Sequence, residues 1–322
     1  MRKKNSLKRW LAALALAAVG GLAWAQSYPS KPIQLVVAFA PGGTGDIVAR
    51  MVAQKMGDSL GQPVVVENRP VPVAAVSMVA HARPDGYTLL MAGSGTALTS
   101  ALFTKLPYDL MKDFIHVSTL ATFDLALVTD RQSGFNSVAD IIAFAKAHPG
   151  KLNIGTARTG STQNLAAEML KARAGIDVVI VPFKTTSDMV GAMRAKDVHA
   201  AIEMLPAIQG QISSKSVKAL AVASSKRHPG LPEIPTLAES GMPGFEASSW
   251  NGIAVPAGTR PEVVKRLAQE IGKAIESPEL QGKLLALGIA AKASTPEQMT
   301  QRMRSDIAKW RALIDKAGIP RQ

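Results

Sequence analysis

The sequence predicts an α/β protein of two lobes, each a mainly parallel sheet flanked by helices, with the chain crossing between them twice. Three observations carry that expectation. Apolar strands alternate with amphipathic helices along most of the chain. An apolar strand that runs into a Gly-, Ser- and Thr-rich loop and then a helix occurs twice, at 33–56 and 151–172. A length of 322 residues, 47% of them apolar, is ample for two domains of roughly 100 to 200 residues each.

Taken in order, 33–40 is a continuous apolar strand, and 46–56 carries Ile47 with Met51 and Val48 with Val52 at helical spacing, stopped by Gly57 and Gly61. Strands follow at 64–67 and, after the turn Arg83-Pro84-Asp85-Gly86, at 87–92. Ser137 with Asp140 opens a helix that ends at His148-Pro149-Gly150; 152–156 is a strand, and Leu165 with Met169 and Ala166 with Leu170 mark the next helix. Strands at 178–182, 200–203 and 219–223 and a helix over 187–196 complete the middle segment. Beyond Trp250, 253–255 is strand-like, Thr259-Arg260-Pro261 starts a helix, and Thr295-Pro296-Glu297-Gln298 is a capping box with proline in the first turn. The final helix packs back on the first lobe. Crossovers are expected near 123–128 and 249–253, so that 26–124 plus 250–322 form the first lobe and 125–249 the second.

Residues 1–25 read as a leader. Arg2, Lys3, Lys4, Lys8 and Arg9 surround the start of an Ala- and Leu-rich run that ends in Ala23-Trp24-Ala25, a small-x-small pattern that places a cleavage after Ala25. The run is shorter than the roughly 20 residues a spanning helix needs. No second stretch is as hydrophobic, so the mature chain is expected to be soluble, in a bacterial periplasm. Zero cysteines fit export without a disulfide framework and exclude a lipid on a leader cysteine. The formal net charge of +13 stays positive without the leader and draws anions. No basic cluster is interleaved with aromatics, which make up only 5% of the chain, so nucleic acid is not an expected partner.

The doubled loop carries the functional expectation. A loop opening into a helix leaves backbone N–H groups and the positive end of the helix dipole facing whatever sits in front of it. Two such mouths facing each other would grip an anion. One Gly-rich loop alone is more often a tight strand-to-helix turn. Catalytic readings find little support: the five histidines, at 81, 116, 148, 199 and 228, lack metal-ligand spacing, no G-x-S-x-G elbow surrounds Ser94 or Ser161, and Gly42-Gly43-Thr44-Gly45 has neither a P-loop lysine nor the dinucleotide spacing. No catalytic residue, metal or cofactor is therefore expected.

YPSKPIQLVVAFAPGG from Tyr28, LGQPVVVENRP from Leu60, PDGYTLL from Pro84, LPYD from Leu106, HPGKLN from His148, GSTQNLAAE from Gly160 and PAGT from Pro256 resemble the Bug, or TctC-like, receptors of tripartite tricarboxylate transporters. The resemblance spans essentially the whole mature chain. It implies a two-lobed, Venus-flytrap receptor of the type II kind that closes by a hinge on a small carboxylate and hands it to membrane subunits, with no enzymatic activity and no cofactor. It places Phe39, Pro41, Gly42, Gly43, Thr44 and Asp46 at the first mouth, Gly93, Ser94, Gly95 and Thr96 in a neighbouring loop, and Thr156, Ala157, Gly160, Ser161 and Thr162 at the opposing mouth. Glu203 stands where relatives carry an aspartate that meets the far end of the ligand.

Departures from the family pattern limit what the resemblance implies, and ligand identity is the least transferable property. Arg158 replaces a glycine and is expected to enter the cleft and pair with a second carboxylate, favouring a diacid; the competing reading is a solvated loop cation. The apolar 71–76 segment, in place of a glycine-rich stretch, either offers a wall to aromatic or alkyl groups or packs within its lobe. Thr185-Thr186-Ser187-Asp188 replaces a more apolar loop. Two other classes of function stay open: a ligand-dependent sensor partner of a membrane kinase, and a secreted α/β enzyme acting on small organic acids. The mature protein is expected to be a monomer.

Overall fold

The structure, a computed structural model, describes residues 28–39, 41–316 and 318–322. The expected leader and its cut after Ala25 lie outside them, as does Ala40 at the end of the first expected strand. The elements run β1 (Ile33–Val37), α1 (Thr44–Leu60), β2 (Val64–Asn68), α2 (Pro72–Ala80), β3 (Thr88–Gly93), α3 (Ser94–Leu102), β4 (Phe114–Phe123) and β5 (Leu125–Asp130). Then come α4 (Val138–Ala147), β6 (Leu152–Thr156), α5 (Thr162–Ala174), β7 (Val178–Pro182), α6 (Thr186–Arg194), β8 (Ala200–Met204), α7 (Leu205–Ser213) and β9 (Val217–Val222). The chain ends with β10 (Ser249–Pro256), α8 (Pro261–Glu276), α9 (Pro278–Ala286), β11 (Ile289–Ala291) and α10 (Pro296–Lys316).

Two sheets organise the molecule, in the strand orders β11-β4-β10-β3-β1-β2 and β7-β6-β8-β5-β9. They share one plan. In each, three strands of a βα series lie parallel, and the next position is taken by an antiparallel strand that the chain enters from the other sheet, β10 in the first and β5 in the second. β4 passes to β5 through Asp124 alone, and the second crossing leads into β10 at Ser249.

Strands buried on both faces explain the unbroken apolar runs. Leu35 and Val37 enter one core of the first sheet while Val36 enters the other. In the second sheet Leu125 and Leu127 face one core, Ala126 and Val128 the opposite one. At the sheet edges the pattern relaxes: Val65 on β2 and Val179 on β7 are exposed. The helix α10 packs back on the first lobe through Met299, Met303, Trp310 and Ile314, with its first turn fixed by the reciprocal bonds between Thr295 and Gln298. One turn further in, it grips both crossing strands. Trp250 Nε1 donates to Asp306 Oδ2 at 2.6 Å, Arg302 stacks over the Trp250 ring at 4.9 Å, and Arg302 donates to Thr122 Oγ1 at 3.3 Å.

Several expectations are corrected. Gly57 does not stop α1, which continues to Leu60 and ends at Gly61 in the left-handed region, φ 66°. Residues 93–96 are not a loop; Gly93 closes β3 and α3 begins at Ser94. Of the two readings of 71–76, packing within the lobe agrees with the structure, where the segment opens the helix α2, with proline at its first position and Ala75, Val76 and Val79 buried in the first lobe. Nothing in the local pattern marks β4, β5, α7, α9 or β11 as separate elements.

Candidate ligand-binding cleft

At the first mouth the chain leaves β1 at Val37 and enters α1 at Thr44. Gly42 takes φ 86°, which only glycine adopts freely, and its N–H donates to Asp46 Oδ2 at 2.9 Å. The buried Asp46 carboxylate also accepts from Arg50 Nε at 3.0 Å and Asn68 Nδ2 at 2.8 Å, and Arg50 Nη2 in turn donates to Asn68 Oδ1 at 2.8 Å. Burial alone would raise its pKa, but the bonds from Arg50, Gly42 and Asn68 outweigh it and hold the carboxyl below the usual carboxylate range. Asp46 is therefore committed to the loop, as is the Gly42 N–H. The helix cap is Gly43, in extended conformation and without a capping side chain, so no side chain caps the first turn of α1. A Cβ on Gly45 would strike the Phe39 ring, which lies against the helix together with Asn251 Oδ1.

The second mouth repeats the plan with different groups. Between Thr156, the last residue of β6, and Thr162, the first of α5, Gly160 takes φ 74° and its N–H donates to Asn164 Oδ1 at 3.0 Å. Here the cap is Ser161, whose Oγ accepts from Asn164 N at 3.1 Å, and Ser161 N donates to Arg158 O at 3.0 Å. Thr156 Oγ1 donates to Ala157 O at 2.9 Å.

A cavity of about 210 Å³ brings the mouths together: Thr44 from the first meets Thr156 and Ala157 from the second, with Gln163, Thr186 and Glu203. Glu203 is buried and fully engaged. Its Oε1 accepts from Gln163 Nε2 at 2.8 Å and Met204 N at 2.7 Å, its Oε2 from Thr186 Oγ1 at 3.0 Å. Lys184 and Phe183 also line this space. The lobes touch beside it, since the Leu102 side chain of α3 lies 3.6 Å from where a Cβ on Gly160 would sit, and Leu165 joins the apolar cluster of the first lobe.

Other expected residues stand elsewhere. Phe39, Pro41, Gly42, Gly43 and Asp46 do not line the cavity, and neither do Arg158, Gly160, Ser161 and Thr162. Arg158 is exposed. The 93–96 group holds a crossing strand: Trp250 N donates to Ser94 Oγ at 3.1 Å, and Thr96 Oγ1 both accepts from Gly93 N and donates to Gly93 O. The 71–76 segment is also absent from the lining. Thr186 belongs to the 185–188 departure, which the cavity reaches together with Phe183 and Lys184 just before it; Gln163 and Asn68 went unassigned in the sequence, although Gln163 neighbours Thr162 at the helix start and Asn68 lies in the Asn68-Arg69-Pro70 motif. A larger cavity of about 700 Å³ at the crossings, lined by Asp124, Ser224, Arg302 and Asp306 among others, holds none of the expected residues. Among the described residues no cluster of His, Cys, Asp or Glu is placed to hold a metal ion, and no helix is long and apolar enough to cross a membrane.

A family model described as the tripartite tricarboxylate transporter family receptor matches residues 48–319. The chain belongs to this family. It is a family of receptors, not of enzymes. The Bordetella pertussis protein BugT is 34% identical over 309 residues, covering 95% of each chain. Among solved structures, an R. palustris protein with adipate superposes with a TM-score of 0.80 at 32% identity, over 91% of this chain and 99% of that one. MatC from Rhodopseudomonas palustris with bound malate gives 0.75 at 30% identity, over 89% and 100%. Their likeness along the whole length agrees with the two-lobed α/β architecture.

Proposed function

We propose that this receptor takes a small carboxylate in the cleft between its lobes and delivers it to the membrane subunits of a tripartite tricarboxylate-type transporter, from a periplasm reached through the leader cut after Ala25. The observation that carries the reading is the cavity where two strand-to-helix mouths meet, Thr44 on one side and Thr156 with Ala157 on the other. Oriented N–H and hydroxyl donors suit a carboxylate, because charge-assisted hydrogen bonds are roughly twice as strong as neutral ones and fixed donors need no reorganisation. The relatives solved with adipate and malate support that chemistry.

Docking begins at the first mouth. Its helix start lacks a side-chain cap while Ser161 occupies that of the second, so the first lobe offers the more open anion cradle. The second lobe then swings in about the crossings, and Thr156, Ala157 and Thr162 complete the shell, with Gly160 and Ser161 holding the loop that carries them. The ligand selects the closed form, which the membrane partner distinguishes from the open one. Arg158, exposed on the second loop, meets the second carboxylate of a diacid on closure.

Thermal shifts of residues 26–322, refolded free of ligand, test this against mono-, di- and tricarboxylic, amino and aromatic acids. A ligand at about 100 times its Kd adds about 2.7 kcal/mol, a rise of several degrees. One acid standing clear supports the receptor reading, and a flat panel from folded protein removes the carboxylate. In the same assay Arg158→Gly is expected to weaken diacids more than monoacids; equal losses return Arg158 to a solvated cation.

A further inference from the structure

Each mouth contains the same clamp. The third residue of its helix accepts the N–H of a left-handed glycine four positions earlier, Asp46 from Gly42 at 2.9 Å and Asn164 from Gly160 at 3.0 Å. Both clamping side chains are buried. They differ in charge, and so does the residue one turn further along each helix. Arg50 follows Asp46 and pairs with it at 3.0 Å; Glu168 follows Asn164.

We infer that Asp46 and Asn164 are positioning residues of the proposed carboxylate site, each turning a loop glycine inward and each carrying the charge its own helix can neutralise. Turning Gly42 and Gly160 inward fixes the loops so that the remaining donors face the cleft. A carboxylate serves at the first mouth because the Arg50 guanidinium and the Asn68 amide cancel its field toward the ligand. At the second mouth a carboxylate would sit one turn from Glu168 with no guanidinium in Arg50's place. Arg158 and Lys184 are exposed there and make no bond to Asn164, whereas Arg50 bonds Asp46 directly at 3.0 Å, so solvent and salt screen them more. The amide of Asn164 gives the same acceptor without repelling the ligand.

The inference rests on the carboxylate reading, and the test separates the two. Adipate and malate binding is measured by calorimetry, and exchange of the Gly42 and Gly160 amides by NMR on ligand-free protein. Asp46→Asn keeps an acceptor and is expected to bind within about threefold of the parent, whereas Asn164→Asp keeps an acceptor but binds about tenfold more weakly, a deficit that shrinks at high salt. Arg50→Met, at a half-exposed position, leaves the Asp46 charge uncancelled and weakens binding likewise; adding Asp46→Asn restores it. Asp46→Ala and Asn164→Ala speed exchange of Gly42 and Gly160 respectively by about tenfold or more. Parent-like binding by both Asn164→Asp and Arg50→Met overturns the charge assignment, and unchanged exchange in the alanine variants overturns the clamp. If the parent binds neither acid, the variants are compared with whichever acid of the panel it does bind; if it binds none, the carboxylate reading and the charge assignment resting on it fall together, while the exchange measurement, which needs no ligand, still decides the clamp.

Discussion

The two strand-to-helix mouths are built on one plan and fastened by opposite means. At the first, a carboxylate, a guanidinium and an amide lock the loop while the helix start carries no side-chain cap. At the second, an amide and a hydroxyl do the locking and the helix start is capped. A repeated loop therefore does not imply repeated duties. The glycine cap leaves the first-turn N–H groups of α1 without a side-chain partner, and the Ser161 cap commits the Asn164 N–H of α5, which suits one lobe to docking and the other to closing.

The junctions after β3 and β8 should show the largest contrast. In the first lobe Gly93 lies against β10 so closely that a Cβ would strike Trp250 O, with Asn251 Cα at 3.0 Å. In the second, Met204 occupies the corresponding place beside Leu125 of β5. Gly93→Ala is expected to cost about 3 kcal/mol, because backbone must move, and to lower Tm by about 6 °C or more. Met204→Ala, at a half-buried site, costs about 1 kcal/mol. Equal losses in thermal unfolding would mean that the two crossing strands are seated alike.

Exchanging the caps gives a smaller effect with opposite signs in stability and binding. Gly43 has φ −78° and ψ 167° with open space at its Cβ position, so Gly43→Ser fits the backbone and supplies the missing cap. It should stabilise the protein by about 0.5 kcal/mol while competing with the ligand for an N–H and weakening carboxylate binding. Ser161→Ala should cost about 1 kcal/mol and leave binding equal or tighter. Thermal unfolding with and without adipate measures both, and a Gly43→Ser variant that binds adipate as tightly as the parent breaks the assignment of docking to the first mouth.

The smallest contrast is acid sensitivity. The Asp46 pKa is held below its unfolded value, so its lock contributes stability above about pH 4, and that contribution is lost as pH falls through the depressed folded pKa. Asn164 has no such titration. Asp46→Asn should flatten the decline of Tm below about pH 4, whereas Asn164→Ala should shift the curve down without changing its slope. An unchanged slope in Asp46→Asn would show that other carboxylates dominate the acid limb.

Much of this was legible from local pattern. The strands 152–156 and 178–182 were read to the residue, since each is a short apolar run bounded by turn signals. The caps at Ser137 and Thr295 were likewise plain, because a capping box joins neighbours three positions apart. What failed depended on distant partners. Gly57 looks like a stop, yet α1 passes through it and the left-handed cap comes at Gly61. Gly93-Ser94-Gly95-Thr96 has the composition of a ligand loop, but the backbone of β10 explains its first glycine and Trp250 N occupies the serine. Asp46 is expected at the first mouth and Glu203 where relatives meet the far end of a ligand; the sequence does not show that three protein donors engage each carboxylate, Glu203 while lining the cavity.

By itself the sequence determined the α/β class, the doubled strand-loop-helix device and its anion-facing polarity, because hydrophobic period, glycine positions and helix caps act over a few residues. Only the tertiary structure decided which donors remain for a ligand. A polar group is available only if no buried partner has already claimed it, and the claims on Asp46, Ser94 and Glu203 come from Asn68, Trp250, Gln163 and Thr186, brought near by the packing of separate strands and helices.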